Sequence, residues 1–224
     1  MRFSEKILLS ACLVMSAFAG LAGQSPTVPR DALGPTLYNV FPRFTYAESY
    51  QDLDAVDFRN LRVHIFTEGD ESHLSGDSVS LKDGKYRYTP NFGFEFLDLD
   101  SIYELGTDSS GRSFKVALYT YVYGGGSSNT EGIAQVFEFH NQRLSVRQQL
   151  RWDKHFESSK PYVKYYKATK TLVIRSAHYL PDDGHCCVSA AEVITLQWAA
   201  SRFVRRSVHT ELTEDGKRTG KKLP

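Results

Sequence analysis

Apolar and polar residues alternate along this chain in short runs, and no stretch keeps a helical apolar period for several turns. Strands joined by turns are therefore predicted, giving a mainly antiparallel β fold. Leu61, Val63 and Ile65 share one face while Arg62 and His64 point the other way, as a half-buried strand requires. Val79 and Leu81 lead into Lys82-Asp83-Gly84-Lys85, and Tyr86 and Tyr88 follow. Asp83-Gly84 suits the positive φ of a tight turn, so a hairpin is expected here. Phe92, Phe94 and Phe96 line one face of the next strand. From Val116 to Tyr123 both faces are apolar or aromatic, which predicts a central strand covered on each side.

The second half repeats strand, turn and strand. After the loop Gly124-Gly125-Gly126-Ser127-Ser128-Asn129, Ile133, Phe137 and Phe139 alternate with Ala134, Val136 and Glu138. A turn at His140-Asn141 leads to Leu144, Val146 and Leu150, set against Arg143, Ser145 and Arg147. The stretches 162–166 and 172–176 flank a turn at 167–170, and 193–198 and 203–208 flank another at 199–202. This spacing suits antiparallel hairpins forming a sandwich, a barrel or a propeller-like sheet, in a single β domain over residues 37–208. Residues 24–36 are rich in Pro and Gly without a period and read as a disordered spacer. Residues 209–224 are polar and read as a disordered tail. Residues 45–57, with Asp52, Asp54 and Asp57, are compatible with a short helical turn but do not require one.

Ahead of the spacer, Arg2 and Lys6 precede the apolar run Ile7 to Ala19, the layout of a Sec signal peptide over residues 1–23. Cleavage fits after Ala19 or after Gly23, with the polar run from Gln24 favouring the later position. The mature protein is expected in the periplasm or outside the cell, with no membrane insertion after the signal is removed. Leu9-Ser10-Ala11-Cys12 also matches a lipobox, but the apolar run continues past Cys12 where a lipoprotein turns polar, so a lipid-anchored form is the lesser alternative. A formal net charge of +1 over 224 residues is too small to steer the chain to nucleic acid or anionic lipid, and neither partner is expected.

Glu95-Phe96-Leu97-Asp98-Leu99-Asp100, the aromatic strand closed by Gly124-Gly125-Gly126, then Gln135-Val136-Phe137-Glu138-Phe139, and finally Cys186-Cys187 before Trp198 occur in this order. From about residue 57 to 208 the order resembles a loosely defined set of uncharacterised exported bacterial proteins that carry a Cys-Cys-Pro-Ser element before a C-terminal β-hairpin. Here Val188 stands where that element has Pro. The resemblance implies a bacterial envelope or secreted location and carries no activity with it.

Candidate chemistry centres on His185-Cys186-Cys187. Cα atoms across a trans peptide lie about 3.8 Å apart, below the usual disulfide range of roughly 4.4 to 6.8 Å, so a bond between neighbours is strained and easily reduced. In an oxidising compartment the pair can be a structural disulfide, packed thiols, or a redox or metal site. The disulfide is the leading candidate. A metal site would recruit His178, Asp182, Asp183 and His185, against the usual spacing of two to four residues between ligating cysteines. Asp98, Asp100 and Glu104 suggest calcium, but Ile102 and Tyr103 occupy positions where an EF-hand loop needs other residues. Gly124 to Gly126 lacks the Gly-Lys-Ser/Thr ending of a phosphate loop. Ser127 and Ser128 sit in no nucleophile elbow, and His64, His140, His155 and His178 define no triad without geometry. No cofactor is expected. Tyr119, Tyr121, Tyr123 and Trp152 are candidates for an aromatic binding surface toward a protein or glycan, with core packing as the alternative. The functional expectation is a non-enzymatic binding or structural module of the bacterial envelope, with a thiol-redox or metal-binding factor built on Cys186 and Cys187 as the alternative.

Overall fold

The computed structural model describes residues 37–42, 44–66, 78–89, 93–124, 128–153, 163–183 and 188–223. The expected signal peptide and spacer lie outside these residues. The chain forms a single, mainly antiparallel β domain. Its main sheet is seven-stranded, built on β6 (Phe94–Thr107), β7 (Ser113–Gly124), β8 (Ser128–His140) and β9 (Arg143–Asp153). The short strand β5 (Lys85–Tyr88) flanks β6, while β1 (Leu37–Val40) and β2 (Phe44–Ser49) both pair with β9. A four-stranded sheet runs β10 (Val163–Tyr166), β11 (Thr171–His178), β12 (Ala190–Ala199) and β13 (Arg202–Leu212) in order. The strands β3 (Arg62–His64) and β4 (Ser78–Ser80) form a third, small sheet. Both larger sheets have open strand orders, so the arrangement is sandwich-like rather than a closed barrel.

Both faces of the main sheet are buried, as the two-sided apolar pattern of β7 requires. Ala117, Tyr119 and Tyr121 enter one core with Val63, Ile65, Val79 and the connection bearing Leu53, Val56 and Phe58. Phe114, Val116 and Leu118 enter a second core against Leu172, Ile174, Ile194, Leu196 and Phe203 of the four-stranded sheet. Leaving this apolar surface in water would cost about 25 cal/mol per Å², so covering the sheet on both sides is the main stabilisation of the fold.

Strict alternation holds in β7 but breaks in its neighbours, where bulges redirect side chains. Val136 pairs with Gln148 and Phe137 with Val146, leaving Arg147 without a counterpart. Leu144 and Val146 therefore face the first core and Leu150 and Trp152 the second, although all are an even number of residues apart. In β6 the bulge at Asp100, which the ladder register skips, has the same effect, sending Leu97 to the first core and Tyr103 to the second.

Asp83 and Gly84 adopt positive φ of 53° and 82°, and Lys82 and Lys85 exchange backbone hydrogen bonds of 2.8 and 3.0 Å. The expected turn thus forms, but the expected hairpin does not. β4 pairs with β3 and β5 with β6, because Leu81 N–H donates to Leu61 O, Gly84 N–H to Arg59 O and Leu99 N–H to Gly84 O. The turn is a corner between two sheets. Residues 51–60 form side-chain-capped turns, in which Asp52 Oδ1 accepts from the N–H groups of Asp54 and Ala55, and Asp57 Oδ1 from that of Arg59.

The polar C-terminus is ordered where a disordered tail was expected. β13 runs on to Leu212 because its residues 208–212 complete the ladder with β12, and α1 (Glu214–Arg218) follows with Thr213 as its N-cap. No helix of the described residues is long and apolar enough to cross a membrane.

In the second core Trp152 packs on Gly132, which stands opposite it in the β8–β9 ladder. A Cβ on Gly132 would lie 2.1 Å from Trp152 Cε2, so the indole rests directly on the glycine backbone. Gly132→Ala must displace the indole and is expected to cost about 3 kcal/mol or more, near the lower end for losing a buried large side chain. Denaturant unfolding would measure this, and a red shift of tryptophan emission should accompany it.

Candidate functional site

β6 begins, β7 ends, β8 begins and β9 ends at one end of the main sheet, where Phe94 pairs with Gly124, Gly124 with Ser128 and Glu131 with Asp153. Polar side chains interrupt the first-core face here. Glu95 stands opposite Tyr123 in the ladder, and Tyr121 opposite Glu131. Each hydroxyl bonds diagonally. Tyr121 donates to Glu95 Oε1, and Tyr123 donates to Glu131 Oε1 at 3.1 Å. The two rings, two residues apart on one strand face, stack at 4.9 Å with 22° between planes.

The two carboxylates have different electrostatic settings. Arg151 grips Glu131 in a fork, with Nε to Oε2 at 2.9 Å and Nη2 to Oε1 at 2.8 Å. Glu95 is 3% exposed and forms no ion pair with any described residue, and its Oε2 is buried without a hydrogen-bond partner. Burial, the adjacent Glu131 charge and the bond to Glu131 push the Tyr123 hydroxyl up to about 12. Beneath Glu131 the face stays polar. Gln135 and Gln149 bond to each other, and Gln149 accepts from Phe66 N–H at 3.1 Å and donates back to Phe66 O. This glutamine amide imitates a neighbouring strand and docks the end of β3 on the sheet.

The aromatic residues expected as a binding surface are mostly interior. Tyr119 and Tyr121 lie in the first core and Trp152 in the second, all essentially without exposure, while Tyr123 is half-buried. Alternation on a sheet covered on both sides drives them inward, which corrects the expectation of an exposed face for all but Tyr123. Glu95, Glu131 and Arg151 were not singled out by sequence. Their signal was phase, since Glu95 occupies the same strand face as Leu97, and Glu131 the same face as Ile133.

His185, Cys186 and Cys187 lie outside the described residues, but the neck of their loop is described. Asp183 Oδ2 accepts from Leu180 N–H and Ser189 N–H, each at 2.9 Å, closing the neck across both chain directions. Lys221 Nζ lies 3.7 Å from Asp183 Oδ1 and 3.8 Å from Asp182 Oδ2. Thr213 adds a backbone donor to Ser189 O at 2.9 Å and a hydroxyl donor to Val188 O at 3.0 Å. Gly216 packs so closely that a Cβ there would lie 2.1 Å from Ser189 O. Burial pushes the Asp183 carboxyl up, but its bonds from Ser189 and Leu180 and the charge of Lys221 outweigh this and hold it below the usual range. Asp182 is 89% exposed at its side chain, and His178 ends β11. Among the described residues no group of three or more His, Cys, Asp or Glu side chains could hold a metal. Asp183 works there as a fastener.

No family model, curated protein or solved structure matches this chain.

Two outcomes follow from these geometries. The folded state favours neutral Tyr123, so its contribution to stability is complete below the ordinary value of 10.0 and is lost as pH rises through about 12. Ultraviolet difference titration should show a tyrosinate step near pH 12 that Tyr123→Phe removes, while the more deeply buried Tyr46 and Tyr119 ionise later still. Asp183→Asn keeps the shape but weakens charged hydrogen bonds at the neck, for an expected loss of about 2 kcal/mol. Hydrogen exchange should then rise at Ser189 and along α1 while the main sheet stays protected.

Proposed function

We propose that this chain is an exported, non-enzymatic binding module of the bacterial envelope, and that its ligand site is the end of the main sheet around Glu95, Tyr121, Tyr123, Glu131 and Arg151. One observation carries this proposal. A carboxylate oxygen of Glu95 is buried with no partner, whereas each oxygen of nearby Glu131 is satisfied by Arg151. A buried acceptor left without a donor costs about 1 to 3 kcal/mol, and a donor from a water, an ion or a ligand would offset that cost. The half-buried Tyr123 supplies flat, rigid contact area of the kind that binding sites use.

The Sec-like leader supports the expected location, and the order of motifs up to Cys186-Cys187 supports membership of the exported set it resembles. A thiol-redox or metal-binding factor is the alternative. It is favoured by the fastening of the cysteine loop at its neck by Asp183, Thr213 and Lys221, which would hold a reactive pair in place.

Expression with the native leader should release a mature chain beginning at Gly20 or Gln24 into the periplasmic fraction, read by intact mass. That protein should gain thermal stability with at least one member of a panel of amines, peptides and saccharides. A ligand at a hundred times its Kd adds about 2.7 kcal/mol. Thiol alkylation with and without reductant separates the alternative. A cysteine pair that cycles under mild reductant, with no stabilising ligand in the panel, would replace the binding module with the redox factor.

A further inference from the structure

On the basis of that binding role, we infer that the ligand carries a primary or secondary ammonium group, held by Glu95 Oε2 beside the half-buried Tyr123 ring. Glu95 takes one hydrogen bond, from Tyr121 to Oε1, and has no counter-ion among the described residues. The other buried acids of the main sheet are paired, Glu131 with Arg151 and Glu138 with Arg112 and Arg147. An ionised carboxylate in this setting lacks a charge partner, and its Oε2 lacks a donor.

The missing group is therefore a donor, and charge selects among donors. Anions are repelled by Glu95. A neutral hydroxyl or amide supplies the hydrogen bond and leaves the charge. A metal ion would find one free carboxylate oxygen where hard cations take six or more oxygen ligands. An N–H-bearing cation supplies both needs at once, and the half-buried Tyr123 ring, opposite Glu95 in the ladder, adds attraction for a cation. A quaternary ammonium has the charge without an N–H, so it should bind more weakly.

Calorimetric titration of the mature protein with n-butylammonium, 1-butanol and tetramethylammonium tests the assignment. Saturable butylammonium binding is expected, with each comparison compound at least about tenfold weaker, a difference of about 1.4 kcal/mol. Glu95→Gln should lose the butylammonium response while the melting temperature stays level or rises, because a buried charge has been removed. A purely structural Glu95 would instead lower it. Should Glu95→Gln not fold, Glu95→Asp keeps the charge but withdraws it by one methylene, and weaker butylammonium binding is expected. Absence of saturable binding, equal binding of butanol, or unchanged affinity in the Glu95 variants overturns the ammonium assignment. Stabilisation by a saccharide or a neutral peptide in place of amines would overturn it too while leaving the binding module standing, whereas a protein stabilised by no ligand counts against the module itself.

Discussion

Burial of both faces of one sheet is the constraint on which the rest of this structure depends. β7 is apolar on both sides, so neither face can be left to water, and the chain must supply two covers. The four-stranded sheet provides one. The other is assembled from the β3–β4 pair and the turns of residues 51–60, too small to form a layer of regular strands. Asp52 and Asp57 caps and the Gln149 amide hold that cover in place, because its backbone groups find few strand partners.

Polar groups buried between these layers act as fasteners. Gln148 joins the sheets by accepting from Phe203 N–H at 2.8 Å, and Asp108 accepts from Ser201 Oγ at 3.3 Å, tying the turns of both sheets at one end. Asp183 fastens the cysteine loop and the C-terminal helix together. Each of these side chains has at least one partner within the fold, as burial requires. Glu95, at the end of the sheet where tyrosines meet carboxylates, takes one hydrogen bond from Tyr121 and has no cation beside it among the described residues.

The candidate site was only partly legible in sequence. Tyr121 and Tyr123 stood out as aromatics, yet their value depends on hydroxyls reaching diagonally to Glu95 and Glu131 on different strands, and no linear spacing encodes that. Asp183 was visible beside Cys186 and Cys187 and suggested a metal ligand. Its two backbone donors, Leu180 and Ser189, lie nine residues apart in the chain, so its role became apparent only from their meeting at one carboxylate oxygen. The C-terminal residues looked like a solvated tail because β13 alternates weakly and α1 is short. Their order comes from pairing with β12 and from the contact of Gly216 with Ser189.

What the amino-acid order determined by itself was local. Period-two alternation set the strands, positive-φ residues such as Asn141 and Gln142 set the turns, and the two-sided apolar run marked the central strand. These follow from backbone sterics and from which side chains avoid water, and both act over a few residues. Tertiary structure alone decided which strands became partners after the Asp83-Gly84 turn, and where the bulges at Asp100 and Arg147 send their strands from one core to the other. It also decided which acids found a cation. Those outcomes depend on groups far apart in the chain competing for the same buried partners, and that competition is resolved only when the layers close.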